Sequence, residues 1–256
     1  MSHYDYKSQR LWVEQDIVEN NAIPCDRAQA NYLLNVLRME QGDQMLIFNG
    51  RDGEWKCELH ALGRKKAALV PMEQERPQPD PKASDLHYLF APLKSARIDY
   101  MAQKAVEMGV AKLRPIMTQH TQERRPKLEK MRLNAIEAAE QCGILSIPPV
   151  DDPVALSKLL EQWQQSDPDR LIIFCDETET NLDPLVILNT LRGEGEGVPP
   201  LAILIGPEGG FSKQEREELL ACEFVTAIPL GPRILRADTA AVASLAIVQA
   251  VLGDWV

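Results

Sequence analysis

The chain has 256 residues, 45% of them hydrophobic and 26% charged, which is enough apolar material for one large core or two smaller ones and too much for a disordered chain. No run approaches the about 18 apolar residues of a membrane-spanning helix, and the opening MSHYDYKSQR lacks the apolar core of a signal peptide, so a cytoplasmic protein is expected. The net charge of −10 argues against wholesale binding of nucleic acid, but the charge is unevenly spread: Lys94 to Arg132 holds ten Lys or Arg against four Asp or Glu, whereas 133–256 holds seven against twenty. That segment is either a basic face on an acidic body or a set of solvated helix faces.

In chain order, the first 75 residues read as a small β-rich, barrel-like module. Arg10 to Val13 opens it, a helical stretch runs from Asp26 to about Leu37, and strands follow at Met45–Phe48, Glu54–Leu62 and Lys66–Met72. Asn49-Gly50-Arg51-Asp52-Gly53 supplies two dipeptides that favour a hairpin turn. Glu73 to Lys82 carries three prolines among polar residues without hydrophobic periodicity, and reads as a linker between a domain 1–75 and a domain 76–256.

Beyond the linker, strand and helix alternate. Leu86–Ala91 is a short apolar run, and Ile98, Met101, Ala102, Ala105 and Met108 recur at helical spacing up to Gly109. Val110–Met117 is the next strand and Lys127–Cys142 the next helix, ending at Gly143; buried-type strands follow at Leu171–Cys175, Leu201–Ile205 and Phe224–Ile228, with helices between them and a last helix from about Thr239 to Leu252. This order predicts an α/β fold with a mostly parallel sheet covered on both faces. Five scattered cysteines and four scattered histidines predict neither a disulfide frame nor a metal site. The only glycine-alternating run, Gly193 to Gly197, is acidic and precedes a strand, which argues against a dinucleotide fold.

Ligands on parallel sheets bind beyond the carboxyl ends of strands. Two loops there stand out. After the 201–205 strand comes Gly206-Pro207-Glu208-Gly209-Gly210-Phe211-Ser212, leading into a helix with a Ser212/Glu215 capping box. After 224–228 comes Leu230-Gly231-Pro232-Arg233-Ile234-Leu235-Arg236-Ala237-Asp238-Thr239-Ala240, opening a helix of small residues. Taken singly, the first also reads as an ordinary strand-to-helix turn and the second as a surface loop with solvated arginines.

Together, in this order, the loops resemble the C-terminal signature of the SPOUT methyltransferases, and most closely the RsmE family, with its GPEGGFS-x-x-E and LG-x-RILR-x-ETA segments. Val36-Leu37-Arg38 with Gly42-Asp43 is similar to the family's N-terminal PUA-like domain; Gln103 to Val110 resembles its Q-K-x-x-E-L-G-V, and Glu140 to Gly143 its E-Q-C-G. The resemblance implies a PUA-like β-barrel followed by a SPOUT-type parallel sheet with a trefoil knot, and a homodimer with S-adenosylmethionine at the subunit interface. It further implies methyl transfer to N3 of a uridine in 16S ribosomal RNA, free or within the 30S subunit. The positions it marks for the cofactor are Leu204, Ile205, Gly206, Pro207, Glu208, Gly210, Leu230, Gly231, Ile234, Leu235, Arg236, Thr239 and Ala240. Four positions depart from the pattern: Asp238 replaces a glutamate, Ile144 and His120 replace arginines, and Asn31 replaces a histidine.

Removing the N3 proton of uracil places charge on the imide, which Arg233 or Arg236 can stabilise; Arg236, at the helix start, is the preferred catalytic residue, with Asp238 either catalytic or a helix N-cap. Arginine stays protonated, and no residue in the sequence announces itself as the base. Arg10 and Arg38 in the small domain, with Lys94, Arg97, Arg124 and Arg125, are expected phosphate contacts. Another RNA target, or a binder without activity that keeps the fold, are the competing readings.

Overall fold

The computed structural model describes residues 8–63, 65–80, 85–178, 182–192 and 198–255; the glycine run at 193–197 and the end of the expected linker lie outside the described residues. The chain divides into two units, 1–80 with 139–147, and 81–138 with 148–256.

The first unit contains β1 (Arg10–Trp12), β2 (Ile23–Pro24), α1 (Arg27–Asn31, continued by a π-helical turn Tyr32–Val36), β3 (Gln44–Phe48), β4 (Glu54–Ala61) and β5 (Ala67–Arg76). Asp26 starts α1 as sequence reading expects, its carboxylate accepting from the Gln29 N–H at 2.7 Å while the Gln29 side chain accepts from the Asp26 N–H. The strand order β1-β3-β4-β5-β2 makes an open half-barrel, antiparallel except for the β1–β3 pair. Its core gathers Leu11, Val13, Leu33, Ile47, Cys57, Leu59 and Leu69. Two features depart from expectation. Ile23–Pro24 forms a short strand that no alternation announced. Glu73–Arg76 is strand and not linker: it pairs with Glu54–Lys56 across two register shifts, and the first of the linker prolines, Pro77, comes only after the strand has ended.

Arg10 was expected on the RNA side and is instead 5% exposed, with Glu54 at 2%. Arg10 Nε donates to Glu54 Oε1 at 2.8 Å, and Arg76 donates to both Glu54 oxygens at 2.8 and 3.0 Å. Both arginines depend on the one buried carboxylate, so losing Glu54 breaks a buried ion pair, a change worth about 3–5 kcal/mol, whereas losing either arginine leaves Glu54 still paired with the other. Residues 139–147 belong to this unit through specific bonds: Glu140 Oε1 accepts the Trp12 N–H at 2.8 Å, and Arg76 donates to the Gly143 carbonyl at 2.8 Å.

The second unit contains β6 (Leu86–Phe90), α2 (Ser95–Glu107), β7 (Val110–Met117), most of α3 (Leu128–Cys142), β8 (Val154–Ala155), α4 (Leu156–Ser166), β9 (Leu171–Cys175), α5 (Pro184–Thr190), β10 (Leu201–Ile205), α6 (Lys213–Leu220), β11 (Val225–Ile228) and α7 (Ala237–Leu252). The sheet order is β11-β9-β10-β6-β7-β8, all parallel. Every residue of β6 and β10 is buried, as expected of strands covered on both faces. On one face Tyr88, Phe90, Ile203 and Ile205 pack with Met101 and Ala102 of α2 and Ala241, Leu245 and Val248 of α7. On the other, Leu89, Leu204, Ile172 and Phe174 pack with Trp163 of α4 and Leu219 of α6. Alanines at the crossing let α2 and α7 approach closely over the sheet, and the parallel order sends β6, β9, β10 and β11 out at one edge.

Candidate active site

Beyond the carboxyl ends of β9 and β10 lies a cleft of about 530 Å³, lined by the segments that follow both strands, by 230–237, by Ala240 of α7 and by Arg97 of α2. The two glycine-bearing loops therefore face one shared cavity. Its volume falls in the range of small-molecule sites.

The first wall is the turn after β10. Gly210 N–H donates to the Pro207 carbonyl at 2.9 Å, closing a tight turn with Gly210 at φ +66°. A Cβ on Gly206 would stand 2.5 Å from the Phe211 ring, which packs edge-on against Phe174 with centroids 5.1 Å apart. Glycine is required at 206 because that ring fills the space a side chain would take. Ser212 then caps α6, with Glu215 completing the capping box as expected.

The second wall is 230–237. Leu230, Gly231, Ile234, Leu235, Arg236 and Ala240 line the cleft with Ile205, Gly206, Pro207, Glu208 and Gly210, so eleven of the thirteen positions marked for the cofactor share the cavity. Leu204 does not line it, being buried in the core beneath, and Thr239 lies outside the lining. The N-cap reading of Asp238 is overturned. The N-cap is Arg236, so Asp238 sits inside the first turn, where its Oδ1 accepts from the Thr239 N–H at 2.9 Å and its charge suits the helix dipole. Arg236 makes no side-chain cap bond, and its cation stands at the positive end of a 16-residue helix. That position is poor for helix stability, and the guanidinium is exposed into the cleft.

The third wall, which no motif in the sequence announces, is the end of β9 and the residues just beyond it, Phe174 to Thr178. Asp176 is 3% exposed and accepts from Arg216 Nε at 2.9 Å and from the Thr178 N–H and hydroxyl at 3.0 and 2.8 Å. Burial opposes its ionisation, but the hydrogen bonds from Arg216 and Thr178 outweigh burial and hold its carboxyl below the ordinary value. Nothing in the short segment Asp176-Glu177-Thr178 carries a pattern; only the parallel pairing of β9 with β10 predicts that it ends beside the cleft. Burial pushes the Cys175 thiol up to about 12, against a weaker effect of a Ser244 hydrogen bond, so it is a neutral thiol and not a nucleophile.

Of the expected phosphate contacts, Arg97 lines the cleft and is ion-paired with Glu208, which ties α2 to the turn. Lys94, Arg124 and Arg125 are exposed in the same unit and make no ion pair with a described residue. Arg38 is exposed in the first unit at φ +57°. At least five of the ten basic residues in 94–132 are ion-paired, namely Arg97, Lys104, Lys112, Arg114 and Lys130, which reduces the basic excess seen in the sequence.

Comparison with known proteins agrees with this geometry. Residues 80–249 match the family model described as RNA methyltransferase domain, and 25–72 the one described as RNA methyltransferase PUA domain. The chain is 27% identical to ribosomal RNA small subunit methyltransferase E of Rickettsia conorii, covering 95% of this chain and 96% of the relative. It is 28% identical to the protein of that name from Bacillus subtilis, over 94% and 96%. A putative methyltransferase from Legionella pneumophila, solved with bound S-adenosylmethionine, superposes with a TM-score of 0.78 at 26% identity over 95% of this chain and 98% of that one. With a PUA match before the parallel sheet and the two signature turns on one cleft, this chain belongs to the RsmE-type RNA methyltransferase family.

Proposed function

We propose that this chain transfers a methyl group from S-adenosylmethionine to N3 of a uridine in 16S ribosomal RNA, in the cytoplasm and as a homodimer. The observation that carries this is the single cleft between the turn at 206–210 and the turn at 230–237. The residues fit the cofactor. Glycine backbone in the first turn allows close approach to an adenosyl group, Ile205, Leu230 and Leu235 give it apolar walls, and Glu177 is a carboxylate suited to a cationic ligand, Glu208 being shared with Arg97.

When bound, the sulfonium supplies an electrophilic methyl carbon. The chain's own residues do the rest. The 206–210 turn and 230–235 would hold the donor and restrict how an entering nitrogen can approach it, which is a positioning effect. Arg236 would stabilise charge spreading onto the uracil oxygens while the N3 proton passes to solvent water; Arg233 stands beside it on the same loop. The target base must leave its stack to reach the cleft. Exposed Lys94, Arg124 and Arg125, with Arg38 of the PUA-like unit, engage phosphates.

Ile234 supports a dimer with the cofactor at the interface: it lines the cleft yet is 87% exposed, while Leu185 and Val186 are exposed on α5, which packs against α7. The trefoil knot belongs to the same reading. Methylation in vitro of small ribosomal subunits lacking the modification, with mapping of the product, tests the assignment. Methyl incorporation at a uridine N3 is expected; incorporation elsewhere means another RNA target, and absence of S-adenosylmethionine binding by calorimetry leaves an RNA-binding protein. Sedimentation at micromolar concentration tests the dimer, with a single-subunit mass counting against it.

A further inference from the structure

Two turns distant in sequence meet beside the cleft. β7 runs into a turn at Thr118–Thr121 whose hydroxyls lie 2.8 Å apart and whose Thr118 N–H donates to Thr121 Oγ1 at 2.9 Å. Both threonines are buried, so the turn is fixed. From it, His120 reaches the backbone of Gly209 and Gly210, its Nδ1 lying 3.0 Å from one carbonyl oxygen and 3.1 Å from the next. Carbonyls only accept, so Nδ1 carries the proton and donates to both. A Cβ on Gly209 would stand 3.3 Å from the His120 Cβ, so the ring lies tight against the turn. Beside it, Glu215 Oε1 accepts the Gln119 N–H at 2.7 Å while Oε2 accepts the Ser212 N–H at 2.8 Å. The carboxylate that closes the α6 capping box thus also fastens the residue before His120.

His120 does not line the cleft, whereas Gly206, Pro207, Glu208 and Gly210 do. We propose that His120 is a positioning residue for the cofactor turn, its Nδ1–H gathering two adjacent carbonyls and holding 206–210 in ligand-ready shape. Two neighbouring carbonyl oxygens directed at one point repel each other unless a donor stands between them. Without that donor the turn samples other shapes, and the cost of ordering it appears in cofactor affinity. The proposal rests on the reading that this cleft takes S-adenosylmethionine. Because His120 is solvent-exposed, its effect is that of one partly solvated hydrogen bond, roughly three- to tenfold in binding.

The test compares His120→Ala, His120→Asn and His120→Gln in the full chain. Asparagine offers an amide N–H where Nδ1 stands; glutamine places its amide one atom further out. The alanine and glutamine variants are expected to raise both the calorimetric Kd and the KM for S-adenosylmethionine by roughly three- to tenfold, with kcat at saturating cofactor changed less than about twofold, and the asparagine variant to restore the native values. Native affinity in the alanine variant, or an asparagine variant as weak as alanine, overturns the proposal. Amide hydrogen exchange at Gly209–Ser212 without cofactor reports the brace independently: faster exchange in His120→Ala is expected, and unchanged exchange overturns it. Should the native protein bind no S-adenosylmethionine while the exchange difference persists, the reading of the cleft fails and the brace stands.

Discussion

At Arg236, helix stability and chemistry pull against each other. A serine at the same N-cap would accept from an orphan N–H and remove a cation from the positive end of α7, stabilising the protein by about 0.5–1 kcal/mol. Arg236→Ser is therefore expected to raise the denaturant midpoint slightly while lowering kcat by about 100-fold or more, as removal of a charge-stabilising donor does; Arg236→Ala should show the same drop in turnover without the gain in stability. Turnover within a few-fold of native in both variants would remove Arg236 from the mechanism. His87 is a different case, far from the cleft in function. It is 7% exposed, and burial, assisted by the charge of Arg170, lowers its pKa from 6.5 to about 4 despite the opposing carboxylate of Asp85. Between those values the unfolded chain binds a proton that the folded chain refuses, so stability falls as pH drops from 6.5 towards 4, by an amount on the order of 1–3 kcal/mol. The depressed carboxylates Asp167 and Asp176 release their contribution only at lower pH, below the ordinary aspartate value of 3.8. Thermal midpoints at pH 7 and pH 5 should therefore differ less in His87→Leu than in the native protein.

At the scale of elements, the strand-to-helix turn after β10 is where backbone and ligand site coincide. Gly206→Ala drives a Cβ into the Phe211 ring, which cannot swing freely because Phe174 stands against it. Gly210→Ala meets φ +66°, a conformation costing an L-residue roughly 1–2 kcal/mol, with only the end of the flexible Glu177 side chain in the way. Both variants should fold, since the bulk of the two hydrophobic clusters is untouched and the strain of Gly206→Ala falls on Phe211 at the margin of the one that holds Phe174. Both should weaken S-adenosylmethionine binding by about tenfold or more, the first more severely, as read by calorimetry against an unchanged circular dichroism spectrum. Equal affinity in all three proteins would mean that the turn's shape does not matter to the ligand.

For the whole molecule, net charge and RNA recognition must be reconciled. The chain carries −10 overall, and at least half of the basic residues in 94–132 are held by carboxylates of its own. Affinity for RNA then depends on the few cations left exposed. Removing Arg124 and Arg125 together should lower the slope of log K against log salt by about 0.7–0.9 for each phosphate no longer neutralised, raise the KM for RNA, and leave kcat at saturating RNA near native. An unchanged salt slope would place the RNA elsewhere on the surface.

The amino-acid sequence by itself determined most of the elements and the two signature turns, because hydrophobic period, capping residues and glycine placement act over a few residues. Ser212 with Glu215 and the apolar run Leu201–Ile205 needed no tertiary information. Only the tertiary structure decided which polar groups are spent. Arg10 looked like any surface arginine until β4 and β5 brought Glu54 and Arg76 to it, and Asp176 became part of the cleft because β9 lies beside β10. The last strand of the small unit runs on past Met72 to Arg76, into the stretch whose composition reads as linker, because Glu54–Lys56 lie alongside to pair with it. Local propensity is written residue by residue, whereas burial, ion pairing and the company a loop keeps are set by chain segments that meet only when the sheet is assembled.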